Sequence, residues 1–112
     1  MSKGFEVILC IVNAGYTDLV MDTAKKLGAR GGTVLHARGT ASKDAEKIYN
    51  IPIQPEKEIV MILVTSKIKD AILHGIYDEC GTSTPAQGIA FSLPVDDVVG
   101  VNTEVNKEKK SK

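Results

Sequence analysis

Two kinds of apolar pattern alternate along the chain. Phe5 to Val12 is an almost unbroken apolar run, Phe5, Val7, Ile8, Leu9, Cys10, Ile11 and Val12, interrupted only by Glu6. A run without alternation fits a strand covered on both faces, so it predicts a central strand. Ile59 to Val64 repeats the pattern and predicts a second such strand over 57–65, again buried on both sides. From Tyr16 to Leu27 the spacing changes to that of a helix, with Leu19, Val20, Ala24 and Leu27 on one side. Asp18 lies in its first turn, Lys25 and Lys26 in its last, and Gly28 follows as a stop. Ile68, Ala71, Ile72 and Ile76 define the inward face of a second helix, with Ser66 placed to cap its start and Gly81 to end it.

Two shorter strands complete the set. Gly31-Gly32 leads into Thr33–Arg38, which sorts into Val34, His36 and Arg38 on one face and Thr33, Leu35 and Ala37 on the other. A last strand runs from Ile89 to about Leu93, where Pro94 argues for a sheet edge or a strand end. The order strand, helix, strand, strand, helix, strand is the split βαβ arrangement, an α+β, ferredoxin-like βαββαβ fold with a four-stranded antiparallel sheet under two helices on one face. The opposite sheet face is then left apolar, and burying it by self-association predicts a closed homo-oligomer.

The connection between the second and third strands, Gly39 to Glu56, is about 18 residues, well beyond the ~4–6 usual in a compact domain. It mixes charges with Ile48, Tyr49, Ile51 and Ile53, so it is not a plain solvated linker, and those apolar groups need a partner in a neighbouring subunit or a target protein. The segment 102–112 has one apolar residue and reads as a flexible tail, which leaves 1–101 as a single domain.

Composition narrows the function. Fourteen basic residues balance fourteen acidic ones in 112, so no long-range field gathers nucleic acid or an anionic membrane. Arg30-Gly31-Gly32 in a single copy, with 4% aromatic residues, lacks the charge and stacking surfaces of an RNA-binding segment. No apolar run approaches the ~18 residues of a membrane span, and Met1-Ser2-Lys3-Gly4 leads straight into a strand, so the expectation is a cytosolic protein without membrane insertion. Cys10 and Cys80 read as buried free thiols. His36 and His74 lack metal-ligand spacing, and His74 pairs with Asp70 at helical i,i+4 spacing. Asp96-Asp97 reads as a turn after Pro94, since adjacent carboxylates on extended chain point apart.

The segment Gly81 to Gly88 offers the hydroxyls of Thr82, Ser83 and Thr84 beside two glycines, the ingredients of a neutral anion nest, although on composition alone a plain turn is the preferred reading. Lys57, Arg38 and Arg30 are candidates for positive charge near a phosphate, because a cationic donor strengthens such contacts; for Arg30 the exposed strand flank is the preferred reading.

Taken together, Gly31-Gly32-Thr33-Val34 with Arg38-Gly39, the long loop, and the closing Gly88-Ile89-Ala90-Phe91-Ser92-Leu93-Pro94-Val95 resemble the nitrogen-regulatory PII proteins, and the closing segment is more similar to the divergent PII-like branch. The resemblance spans roughly 5–100. It implies a homotrimer that binds an adenine nucleotide (ATP, ADP or AMP) between subunits, with magnesium an open companion, and regulates a membrane transporter or metabolic enzyme through the long loop. It also implies site residues. Thr33 falls where the family contacts nucleotide, Gly39 and Lys57 at the two bases of the loop, Leu63 where a backbone group reads the adenine edge, and Gly81, Thr82, Ser83, Thr84 and Gly88 in the phosphate loop. Here that loop contains no basic residue, and the region around Val99 and Val101 has no arginine. Tyr49 has different flanks from the modified tyrosine of the family. The residues alone leave two other classes open: a small oligomeric enzyme or metal-handling protein on this scaffold, and a trimeric interaction scaffold without a small ligand. The first lacks a nucleophile–base pair or a metal-ligand cluster in the sequence.

Overall fold

A computed structural model describes residues 4–40 and 55–101. The elements follow in the expected order: β1 (Phe5–Asn13), α1 (Thr17–Lys26), β2 (Thr33–Arg38), β3 (Glu56–Thr65), α2 (Ser66–Cys80) and β4 (Ile89–Val95). All strand pairs are antiparallel and the order across the sheet is β2-β3-β1-β4. The two apolar runs are therefore the inner strands, and β4 is an edge, where Pro94 costs no ladder bond that a neighbour needs. β3 begins one residue earlier than its pattern implies, and β4 extends past Pro94 to Val95.

The register divides the sheet into two unlike faces. Ile8 lies opposite Ile62 and Cys10 opposite Val60, and these residues with Val12 and Val64 are buried beneath the helices. Burying each such aliphatic side chain is worth about 1.5–3 kcal/mol relative to leaving it exposed. The alternate residues form an open apolar face: Leu35 on β2, Met61 and Leu63 on β3, and Ile89, Phe91 and Leu93 on β4 all remain partly exposed. The expectation that β3 is buried on both sides is thus corrected for the single chain, because among the described residues the helices cover the sheet on one side alone.

The helices dock through narrower stripes than their sequences imply. In α1 the buried residues are Val20, Thr23 and Ala24, while Leu19 and Leu27 are 37% and 38% exposed. In α2 the buried stripe is Ile72, Ile76 and Cys80, one turn apart, and Ala71 falls on the exposed side. The two helices approach closely at Gly75, where an added Cβ would lie 2.6 Å from the Leu27 Cδ1.

The helix ends are set by backbone chemistry. After α1 the Gly28 N–H donates to the Lys25 carbonyl at 3.1 Å and the Ala29 N–H to the Ala24 carbonyl at 3.0 Å, which closes a Schellman motif. Gly28 takes φ +114, the left-handed region that glycine enters without penalty. α2 starts directly from β3, so Thr65, not Ser66, holds the cap position, and it forms no side-chain cap bond. The Ser66 N–H is instead taken by the Gly4 carbonyl at 2.9 Å. Asp70 is paired with its neighbour Lys69 at 2.9 Å, whose hydrogen bond holds the carboxyl below its ordinary range; His74 contributes only a smaller electrostatic effect in the same direction.

Candidate ligand-binding site

The expected site residues fall into two clusters. One lies at the start of β3. Gly39 follows β2, and its N–H donates to the Pro55 carbonyl at 2.7 Å, which closes the neck of the long connection. A Cβ on Gly39 would lie 3.0 Å from the Lys57 Cε, so the Lys57 stem lies directly against this neck. The Lys57 ammonium donates to the Asn13 Oδ1 at 2.6 Å. The Asn13 Nδ2 donates in turn to the Pro85 carbonyl at 3.0 Å and to the Gln87 Oε1 at 3.2 Å. Lys57, Asn13 and the 81–88 segment therefore form one connected polar group.

The 81–88 segment is built from two successive turns. The Thr84 N–H donates to the Gly81 carbonyl at 3.0 Å and the Gln87 N–H to the Thr84 carbonyl at 2.9 Å, with Pro85 at the second position of the latter turn, where its fixed φ suits. The Thr84 hydroxyl is committed to the Gly81 carbonyl at 2.7 Å, whereas Thr82 and Ser83 are exposed. Both glycines have a packing role. A Cβ on Gly81 would collide with the Tyr77 carbonyl, and one on Gly88 with the Cys80 carbonyl that accepts the Gly88 N–H.

The second cluster lies along the open sheet face. Thr33 pairs with Met61, and Leu63 with Val7. Together with Gly31 and Gly32 they line a shallow concavity of about 400 Å³. Gly32 is packed against β3, since a Cβ there would lie 3.0 Å from the Met61 carbonyl and 2.9 Å from the Met21 sulfur. Met61 is four residues along β3 from Lys57, so the two clusters are separated by roughly 13 Å at ~3.3 Å per residue.

The three candidate cations separate as well. Lys57 sits in the first cluster. Arg38 pairs with Glu56, and strand alternation puts it on the sheet face opposite Lys57, so it does not join that cluster. Arg30 precedes β2 at the Thr33 end and is exposed.

Sequence reasoning missed Asn13, Gln87 and Glu58. Asn13 is 5% exposed at the end of an apolar strand, and a polar residue closing such a run was the available signal. Glu58 accepts the Gly15 N–H at 3.0 Å and lies 3.4 Å from the His36 Nδ1, which ties the turn after β1 to β2. Nothing in the pattern of β3 marks it out. Cys10 and Cys80 are buried free thiols, and burial pushes Cys10 up to about 12 and Cys80 upward, so neither is a ready nucleophile. Among the described residues no group of three or more His, Cys, Asp or Glu side chains is placed to hold a metal, and no helix is long and apolar enough to cross a membrane. Ser42, Tyr49 and the apolar residues of the long connection lie outside the described residues, as does the tail.

The chain is thus a two-layer α+β fold with a long connection between its second and third strands and a polar cluster at that connection's neck. The model of the nitrogen regulatory protein P-II family matches residues 5–105, and the chain belongs to that family as a divergent member. Among solved structures it is similar to PII of Arabidopsis thaliana bound to citrate, with 25% identity, a TM-score of 0.66, and coverage of 89% of this chain and 82% of that one. It has the same fold as a putative PII-like signalling protein of Thermus thermophilus, at 19% identity and a TM-score of 0.65 over 94% of this chain and 92% of that one. The fold is shared as well with CPII of Thiomonas intermedia, a structure holding ADP, AMP and bicarbonate, at 12% identity and a TM-score of 0.64 over 87% of this chain and 96% of that one.

Proposed function

We propose that this chain is a non-enzymatic PII-type signalling protein which, as a homotrimer, binds an adenine nucleotide between subunits and regulates a transporter or enzyme through the connection 39–56. The observation that carries this reading is the placement of Lys57. Its ammonium lies at the neck of the long connection and, through Asn13, at the 81–88 segment, so one cation adjoins both candidate loops. Thr33 and Leu63 lie roughly 13–20 Å away along the same sheet, and a ligand that uses both clusters fits a cleft completed by a second copy. The open apolar face supports that assembly, since such a patch is unusual on a monomer.

The charge at the site favours few phosphates. The 81–88 segment contains no basic residue, and Arg38 faces away, which leaves Lys57 as the cation of the first cluster. A nucleoside mono- or diphosphate suits it better than a triphosphate. Titration calorimetry of the purified oligomer against AMP, ADP and ATP, with and without magnesium, tests this. The expected result is binding of ADP or AMP in the micromolar range. Lys57→Ala should weaken it by about 10- to 150-fold, the equivalent of losing a charge-assisted hydrogen bond of about 1.5–3 kcal/mol. Silence of an intact trimer across the panel would reject the reading.

A further inference from the structure

We propose that Asn13 is a positioning residue that couples the neck of the long connection to the 81–88 segment, fixing Lys57 with its amide oxygen and the segment with its amide nitrogen. The side chain is nearly buried, and every polar atom of it is engaged: Oδ1 accepts from Lys57, and the two N–H bonds of Nδ2 go to the Pro85 carbonyl and the Gln87 side-chain oxygen. Its backbone N–H also donates to the Ala86 carbonyl at 2.9 Å, so the residue grips the segment at three consecutive positions.

The orientation of the amide follows from its neighbours. Lys57 can only donate and a peptide carbonyl can only accept, so the oxygen must face Lys57 and the nitrogen must face Pro85. No other side chain of this length supplies one acceptor and two donors in a rigid plane. Aspartate would keep the Lys57 arm and lose both donors, and leucine would lose everything. Because the plane is rigid, a shift of the Lys57 ammonium turns the amide and is felt at Gln87. That residue is held at φ +49, a left-handed backbone unusual for a side chain with a Cβ, and its side-chain oxygen is one of the groups Asn13 engages. An ammonium has three N–H bonds, so Lys57 can serve Asn13 and still offer two to a ligand. A phosphate taken up by Lys57 is then reported to residues 85–87 without touching them.

The coupling itself is independent of any ligand, whereas its use in signalling rests on the nucleotide reading above. The test is amide hydrogen exchange on the full chain, first without nucleotide. Lys57→Met should speed exchange of the Thr84, Gln87 and Gly88 amides several-fold, although Lys57 touches none of them, while the Val60 and Ile62 amides of β3 stay as they were. Asn13→Asp should speed the same amides, and in Asn13→Leu, which has lost both arms, adding Lys57→Met should produce no further change. Unaltered exchange in Lys57→Met, or equal acceleration throughout the core, would overturn the coupling. Should Asn13→Asp fail to fold, Gln87→Ala takes its place and should likewise make the effect of Lys57→Met smaller. The same samples are then measured with saturating ADP. Wild type that binds ADP is expected to slow the Thr84, Gln87 and Gly88 amides, and Asn13→Asp to bind about tenfold more weakly. Absence of ADP binding alongside intact coupling in the ligand-free chain would reject the nucleotide reading and leave the role of Asn13 standing.

Discussion

Gly39 and Pro55 are joined by a backbone hydrogen bond of 2.7 Å, so the two ends of the long connection leave the sheet from adjacent positions. The Lys57 side chain lies against the join, since even a Cβ on Gly39 would press on its stem. Under the proposed function, a ligand held by Lys57 would change the balance of conformations beyond the neck.

Limited proteolysis between Ser42 and Gln54 reads that change. Cleavage is expected to slow several-fold when the oligomer is saturated with its nucleotide, and the protection should disappear in Gly39→Trp, whose ring has no room beside Lys57. Equal cutting with and without a ligand shown to bind would remove the long connection from the mechanism.

The open sheet face makes a separate expectation. Phe91 and Leu93 are 41% and 46% exposed in the single chain, on the edge strand, beside Leu9 and Val7 of β1. Placing a charge there leaves the single chain solvated but puts an unpaired carboxylate into any interface that covers the face. Phe91→Glu should convert a trimer into monomer by light scattering coupled to size-exclusion chromatography, with the far-ultraviolet circular dichroism preserved. A wild type that elutes as a monomer at tens of micromolar would defeat the assembly argument at once.

Much of this architecture was legible in the chain because its signals are local. Unbroken apolar runs marked β1 and β3 as inner strands, Gly28 marked the end of α1, and the distance between the predicted β2 and β3 located the long connection. The stripes were less legible. Leu19 and Ala71 satisfy helical spacing, yet the crossing at Gly75 and the position of the sheet decide which side of each helix is buried, and neither is encoded within the helix. The candidate site was legible as separate residues, not as an arrangement, for the same reason. Thr33, Gly39 and Lys57 were singled out by likeness and the 81–88 segment by composition as well, but the hydrogen bonds of Asn13 form only when the end of β1 meets a segment more than seventy residues later in sequence. Arg38 and Lys57 were both candidates for charge near a phosphate, and the register puts them on opposite sheet faces, which residue type alone does not reveal.

Glycine substitutions distinguish packing demand from mere occurrence. Gly88→Ala forces a methyl into the Cys80 carbonyl, and backbone cannot yield as a side chain does, so a loss of about 1–3 kcal/mol is expected in urea unfolding. Gly28→Ala imposes a left-handed backbone on a residue with a Cβ, at about 1–2 kcal/mol. Gly31→Ala, with no atom within 4 Å and no positive φ, should stay within about 0.5 kcal/mol of wild type. Equal losses at all three positions would contradict the described packing.

The buried thiol of Cys10 sets an alkaline limit on stability. Burial is the main cause that raises it from 9.0 to about 12, and Cys80 adds to the effect. Below pH 9 the thiol is protonated both folded and unfolded, and the contribution is fully present. Between pH 9 and 12 the unfolded chain releases this proton while the folded chain retains it, so stability falls as pH rises, with a limiting slope of about 1.4 kcal/mol per pH unit. The comparison with Cys10→Ala isolates the thiol. The variant should start less stable at about pH 7, because a core atom is lost, yet lose less on going to about pH 11. The difference between the two denaturation profiles should therefore narrow with rising pH, and parallel profiles would mean that Cys10 ionises as readily folded as unfolded.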